Sequence, residues 1–296
     1  MEANFRWALI TAIAPVAWGT NYFVTHEALP AGHPLWGAVF RALPAGLLLL
    51  LIRRELPSGA WWWRSLVLGT MNMGAFFALV YVSAQLLPTS VASTIMATSS
   101  VAMMLVAWAL LGERPGTRSW AGAGLGCAGV CFLLLGGVTS VNWWGVAASV
   151  AAMLMSSFGY VLTKKWGTDT GVLTVTSWQL VGGAVAIAPF ALLVEGAPPA
   201  LDAPALGGFA YVTTVATAGA FAAWFAGLRR LSAATVGLIG LLNPATGVLL
   251  GTLIAAEPLT LRQAAGLALI LTGILLGRRT PSTPKRSEQP KNLLTL

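Results

Sequence analysis

Apolar runs long enough to cross a membrane recur along the whole chain, and no other feature narrows its possible folds as much. A spanning helix needs about 20 predominantly apolar residues. Cutting the sequence at its charges, prolines and loop-like clusters leaves ten such runs, at 6–26, 34–52, 62–84, 88–111, 118–136, 142–163, 172–194, 205–227, 231–255 and 260–277. Only helices and closed barrels satisfy every backbone N–H and C=O inside lipid. The runs lack the strict alternation of barrel strands and are rich in Ala, Leu and Gly, which leaves helices. Hydrophobic residues fill 57% of the chain and charged residues only 9%, against about 25% charged in ordinary soluble domains. The expected fold class is an all-α integral membrane protein with ten transmembrane helices, joined by connections too short to hold a soluble domain.

The first run is expected to remain in the mature protein. Trp18, Asn21 and Tyr22 interrupt the stretch that a cleaved signal would need, and no small-x-small cleavage site follows before the next run. The 33 glycines suit membrane helices, where small residues let backbones approach closely. One glycine-rich stretch, GLGCAG at Gly124 to Gly129, has the spacing of a dinucleotide-binding fingerprint. It lies inside a lipid-length run rather than between a strand and a helix, so it reads as helix packing and no cofactor is expected. Cys127 and Cys131 are four apart on one helix, which puts their Cβ atoms about 5–6 Å apart, beyond the roughly 3.8 Å a disulfide wants. With His26 and His33 they make no ligand spacing, so no metal is expected.

The net charge of +8 would suggest nucleic acid in a soluble protein, but here placement matters more, and no nucleic-acid partner is expected. Lys and Arg mark cytoplasmic loops. Counted on alternate connections, one side holds Arg6, then Arg53, Arg54 and Arg64, then Arg114 and Arg118, then Lys164 and Lys165, then Arg229 and Arg230, and finally Arg278, Arg279, Lys285, Arg286 and Lys291. The other side holds Arg262 alone, and Arg41 lies within a run. That asymmetry predicts both termini in the cytoplasm and an even number of spans. The Pro-rich polar tail, 278–296, reads as disordered and basic enough to touch anionic lipid.

The chain also matches itself. At an offset of 144, Glu113 meets Glu257, Arg118 meets Arg262, Gly122 meets Gly266, Gly129 meets Gly273 and Tyr81 meets Phe225. At 138, Tyr22 meets Tyr160, Thr25 meets Thr163 and Arg41 meets Gln179. Spans one to five therefore repeat as six to ten, giving halves at 1–139 and 140–277. Five is odd, so the second half must enter the membrane from the opposite side. Inverted repeats of this kind hold substrate near the midplane and exchange conformations to alternate access.

A span ending in Glu, with Ala-Gly shortly after it in the next helix, occurs in ALLGERPGTRSWAG and again in LIAAEPLTLRQAAG. With the ten-span plan this resembles the drug/metabolite transporter superfamily, its ten-helix exporters above all. WGTNYF, FRALPAG and MNMGAFFALVY look like the bacterial amino-acid exporters of that group. The resemblance implies a bacterial inner-membrane location and a central cavity lined by spans 1, 3, 4, 6, 8 and 9. It transfers no substrate, because the superfamily handles amino acids, nucleotide sugars and drugs.

Polar side chains avoid lipid and so mark inner faces. Ser90, Thr94 and Thr98, with Ser99 beside them, stripe span four, and Ser99 coincides through the 144 offset with Asn243 in span nine. Pro244 frees the Gly240 carbonyl, so Asn243 either receives a ligand's ammonium or amide, or braces a kinked helix. Trp18, Asn21, Asn72, Phe76, Tyr81, Ser156, Tyr160, Thr217 and Trp224 are further wall positions. Glu113 and Glu257 read as helix-end anchors, with gating as the sharper alternative. Arg41 sits about 10 Å from the end of its span, close enough to snorkel, with substrate-carboxylate binding as the other reading.

All nine acids lie at helix ends, loops or tails, so no mid-membrane carboxylate can carry a coupling proton. No paired aspartates, HExxH or Ser-His arrangement stands at membrane depth, so no catalytic residue is assigned and the chain is expected not to be an enzyme. The expected partners are membrane lipids and a small-molecule substrate, a neutral or zwitterionic metabolite such as an amino acid. A drug or lipid-like hydrophobic compound is the alternative cargo.

Overall fold

The computed structural model describes residues 2–28, 32–87, 89–134, 142–167, 169–254 and 260–277. Among these residues there is no strand. The helices are α1 (Glu2–Ala28), α2 (Pro34–Arg53), α3 (Trp61–Gly69), α4 (Ala75–Leu86), α5 (Thr89–Ala97), α6 (Ser99–Leu111), α7 (Thr117–Leu134), α8 (Trp143–Lys165), α9 (Val172–Val194), α10 (Ala203–Thr213), α11 (Ala220–Arg230), α12 (Ala233–Gly240), α13 (Leu242–Ile254) and α14 (Leu261–Gly277). Two π-helical turns, Thr70–Gly74 and Thr214–Gly219, join α3 to α4 and α10 to α11 without ending either run. Among the described residues seven stretches are long and apolar enough to cross a membrane: Pro34–Arg53, Trp61–Ser83, Thr94–Leu111, Trp143–Lys165, Val172–Val194, Ala203–Arg230 and Ala233–Leu250. The other three expected spans coincide with α1, α7 and α14, of which α14 is a shorter apolar helix.

The helix ends have local chemical causes. Asn142 accepts hydrogen bonds from Trp144 N (2.9 Å) and Gly145 N (3.2 Å), capping α8. Asp202 caps α10 through Ala205 N, and Ser232 caps α12 through Thr235 N. These side chains satisfy donors that the first helical turn leaves open. α2 begins at Pro34 without such a cap, and Glu195 supplies one from a distance by accepting from Leu35 N (2.7 Å) and Trp36 N (2.9 Å). Gly112, at φ 68°, ends α6 in the left-handed conformation that glycine tolerates best.

Helices from before residue 135 pack on helices from after residue 141. α1 lies on α11 and α13, while α8 lies on α4 and α6. α2 packs on α9, α7 on α14, and α6 on α12. Glycine sets two of these distances. A Cβ at Gly183 on α9 would stand 2.5 Å from the carbonyl oxygen of Gly69 on α3, so the two backbones touch. The GLGCAG stretch lies within α7, and Gly129 faces Gly266 of α14, each so close that a Cβ would come within 2.8 Å of the other's carbonyl oxygen. Gly126 and Gly129 of this stretch serve helix packing.

Candidate functional site

A cavity of about 130 Å³ opens at the middle of the bundle, where helices are interrupted. α5 gives way to α6 at Thr98, whose N–H bonds Ile95 O at 3.1 Å, and α12 gives way to α13 at Leu241, whose N–H bonds Leu238 O at 3.1 Å. Both are tightened i→i+3 turns, and after the second Pro244 has no N–H to offer the Gly240 carbonyl. Ser99, Gly240, Leu241, Asn243 and Pro244 all face the cavity.

The remaining wall is mostly aromatic. Trp18 of α1 lies 5.0 Å from Phe221 and 5.2 Å from Trp224 of α11, centroid to centroid. Tyr160 of α8 stands 5.5 Å from Trp224, and Phe76 and Phe77 of α4 continue the wall, Phe77 lying 5.9 Å from Phe221. Among the described residues, Trp224 Nε1 and Asn243 Oδ1 are buried without a hydrogen-bond partner. Both residues line the cavity, and such unpaired polar atoms are costly unless something satisfies them.

Arg41 does not snorkel. It is 6% exposed and lines the cavity, with its guanidinium 4.1 Å from the centroid of Phe77. Nε donates to Thr217 Oγ1 (2.7 Å) and Nη2 to Ala216 O (3.1 Å), and Trp18 Nε1 donates to the same carbonyl (3.0 Å). Both acceptors belong to the second π turn, whose wider bonding pattern re-aims backbone carbonyls. The first π turn has a matching arrangement. Asn72 Nδ2 donates to Gln179 Oε1 (2.7 Å) and Thr163 Oγ1 (3.1 Å), with Asn72 and Gln179 both fully buried. Arg41 and Gln179 are the pair related by the 138 offset, so each half sends one polar side chain into the π turn of the other.

Of the residues expected at the site, Trp18, Phe76, Ser99, Ser156, Tyr160, Trp224, Asn243 and Pro244 meet around the cavity. Asn72 points instead into the amide cluster with Gln179. Tyr81 packs over Gly37 of α2, and Thr98 is exposed, its hydroxyl donating to Ile95 O at 2.6 Å. The Asn21 side chain and all of Glu257 lie outside the described residues. Glu113 stands at the end of α6, away from the cavity, against Lys164 and Ala233 N.

Sequence reasoning missed Phe77, Val80, Met96, Ala97, Met103, Phe221 and Leu241 as wall residues. The repeat contained the signal: at the 144 offset Phe77 pairs with Phe221, Val80 with Trp224, Met96 with Gly240, Ala97 with Leu241 and Ser99 with Asn243, and every member lines the cavity. Among the described residues no group of three or more His, Cys, Asp or Glu is placed to hold a metal.

Polar groups gathered halfway along membrane-length helices, far from either end, are what a multi-pass membrane transporter needs to hold a solute inside the bilayer. The chain belongs to the EamA-like transporter family, which matches it twice, over residues 5–135 and 143–278. Protein PecM of Dickeya dadantii (strain 3937) is 35% identical over 265 residues, covering 89% of each chain. The inner membrane transporter YedA of Escherichia coli (strain K12) is 28% identical over 269 residues, 88% of this chain and 87% of that one. A protein of known crystal structure superposes with a TM-score of 0.80 over 92% of this chain and 98% of its own, at 19% identity, a likeness of fold alone.

Proposed function

We propose that the protein exports small neutral or zwitterionic metabolites, above all amino acids, including large hydrophobic and aromatic ones. Transport proceeds by alternating access between two inverted five-helix repeats that together make ten spans with both termini in the cytoplasm. The observation that carries this reading is the aromatic cavity between the halves, with hydrogen-bonding groups of both kinds and no carboxylate among the described residues that line it. A cavity of this size is comparable to the roughly 150 Å³ apolar cavity that accepts benzene, which suits an aromatic side chain.

The reciprocal packing of α1 on α11 and α8 on α4, the two π turns 144 residues apart, and the twofold family match support the inverted-repeat reading. With no buried acid among the described residues to carry a proton, the substrate equilibrates down its own gradient. The test is uptake into proteoliposomes, with and without an imposed pH gradient, of amino acids, cationic dyes and nucleotide sugars. Amino acids should equilibrate and not accumulate. Uptake of dyes alone would replace the amino-acid reading with that of a hydrophobic-compound exporter, and sustained proton-driven accumulation would overturn the facilitative mechanism.

A further inference from the structure

We infer that Arg41 is the anion-binding group of the cavity, so that this transporter selects compounds bearing a carboxylate and rejects amines that lack one. This rests on the cavity being the substrate site, as proposed above. A guanidinium inside a membrane bundle is costly and marks a functional position by default. Arg41 is buried and faces the cavity rather than reaching for the interface. Its plane is held by two acceptors of one π turn and by the ring of Phe77, which orients the fork before any ligand arrives.

The described residues of the wall supply this cation and no carboxylate, a field that favours a negative group over a free ammonium. Planar two-pronged recognition of carboxylate is what arginine does better than lysine or a neutral donor. The second half of the chain brings no matching cation to the cavity. Gln179, at the position equivalent to Arg41, is neutral and engaged with Asn72 away from the cavity, while Asn243 of the cavity wall has an unpaired side-chain oxygen. An α-amino acid carries both partners on one carbon, and the Trp224 N–H adds a second donor for its carboxylate or for a polar ring substituent.

The experiment uses the full-length protein in lipid nanodiscs and three ligands of one shape: phenylalanine, hydrocinnamate, which lacks the ammonium, and phenethylamine, which lacks the carboxylate. Calorimetry should show hydrocinnamate bound and phenethylamine not. Arg41→Gln should weaken hydrocinnamate by about 10- to 150-fold, the usual effect of losing a hydrogen bond to a charged group, and Arg41→Lys should fall between. The inference is overturned if phenethylamine binds as well as hydrocinnamate, if hydrocinnamate does not bind, or if folded Arg41→Gln binds it unchanged. Should Arg41→Gln not fold, the order of the three ligands on the unmodified protein decides. Phenylalanine counterflow in vesicles separates the two readings. Arg41-dependent hydrocinnamate binding without phenylalanine transport keeps the carboxylate site and removes the amino-acid assignment. Phenylalanine transport indifferent to Arg41 does the reverse.

Discussion

Lys164 Nζ stands 2.5 Å from Glu113 Oε1, and the other oxygen of that carboxylate accepts a hydrogen bond from Ala233 N at 3.0 Å. Lys164 also donates to Leu231 O at 2.7 Å. One carboxylate and one ammonium thus tie together the end of α6, the end of α8 and the start of α12. Glu113 acts there as a remote cap, a negative group at the positive end of a helix.

Glu113→Ala should therefore lower stability by about 1–2 kcal/mol, the usual worth of a lost cap plus a partly buried ion pair. Glu113→Gln, which keeps an acceptor for Ala233 N, should cost less. Thermal melts in detergent check both, and an unchanged melting temperature for Glu113→Ala would remove the capping role.

Asn243→Ala removes the orphan acceptor from the cavity wall. Losing a buried hydrogen bond costs about 1–3 kcal/mol, so amino-acid transport should weaken roughly 5- to 150-fold where binding is limiting, and an apolar compound should be little affected. Folded Asn243→Ala protein that moves amino acids at the unmodified rate and affinity would show that Asn243 only braces the break before Pro244.

Gly183→Ala forces apart two backbones in contact, because its Cβ would stand 2.5 Å from Gly69 O. Overpacking of this kind costs about 1–3 kcal/mol. Gly124→Ala on α7 meets nothing within 4 Å and should be neutral. Equal melting temperatures for the two variants would contradict the close approach of α3 and α9.

The charge asymmetry predicts sidedness. In a background lacking Cys127 and Cys131, cysteines at Ser140 and Gly196 should react with an impermeant reagent applied outside intact cells, and one at Gly167 should not. Labelling of Gly167 from outside would place the end of α8 on the wrong side of the membrane for inverted halves.

Much of the site is legible in the residue order. Ser99 and Asn243 coincide in the repeat, and both line the cavity with Trp18, Phe76, Tyr160 and Trp224. Asn72 departs from its expected place for an identifiable reason. Asn72 and Phe76 are four apart, so a regular helix would set them on one face. The π turn Thr70–Gly74 adds a residue to the intervening turn and so rotates the downstream helix by about 100°. Phe76 stays on the cavity wall while Asn72 turns to Gln179. Thr98 and Ser99 part company at the i→i+3 turn for a similar reason, and Thr98 ends exposed.

Residue order is enough to make this chain helical and to place it in lipid, because unpaired backbone groups are intolerable there and the apolar runs have the length to pair them internally. It is also enough to show that the sequence matches itself at an offset of 144, with Ser99 falling on Asn243. Where Arg41 points is settled only by packing. From one helix, a guanidinium near the membrane edge can reach water or turn inward, and nothing local chooses between them. The choice is made by the carbonyl of Ala216 and the hydroxyl of Thr217, presented by a π turn about 175 residues away in the chain. Partners of that kind exist only once α2 and the second π turn have packed together.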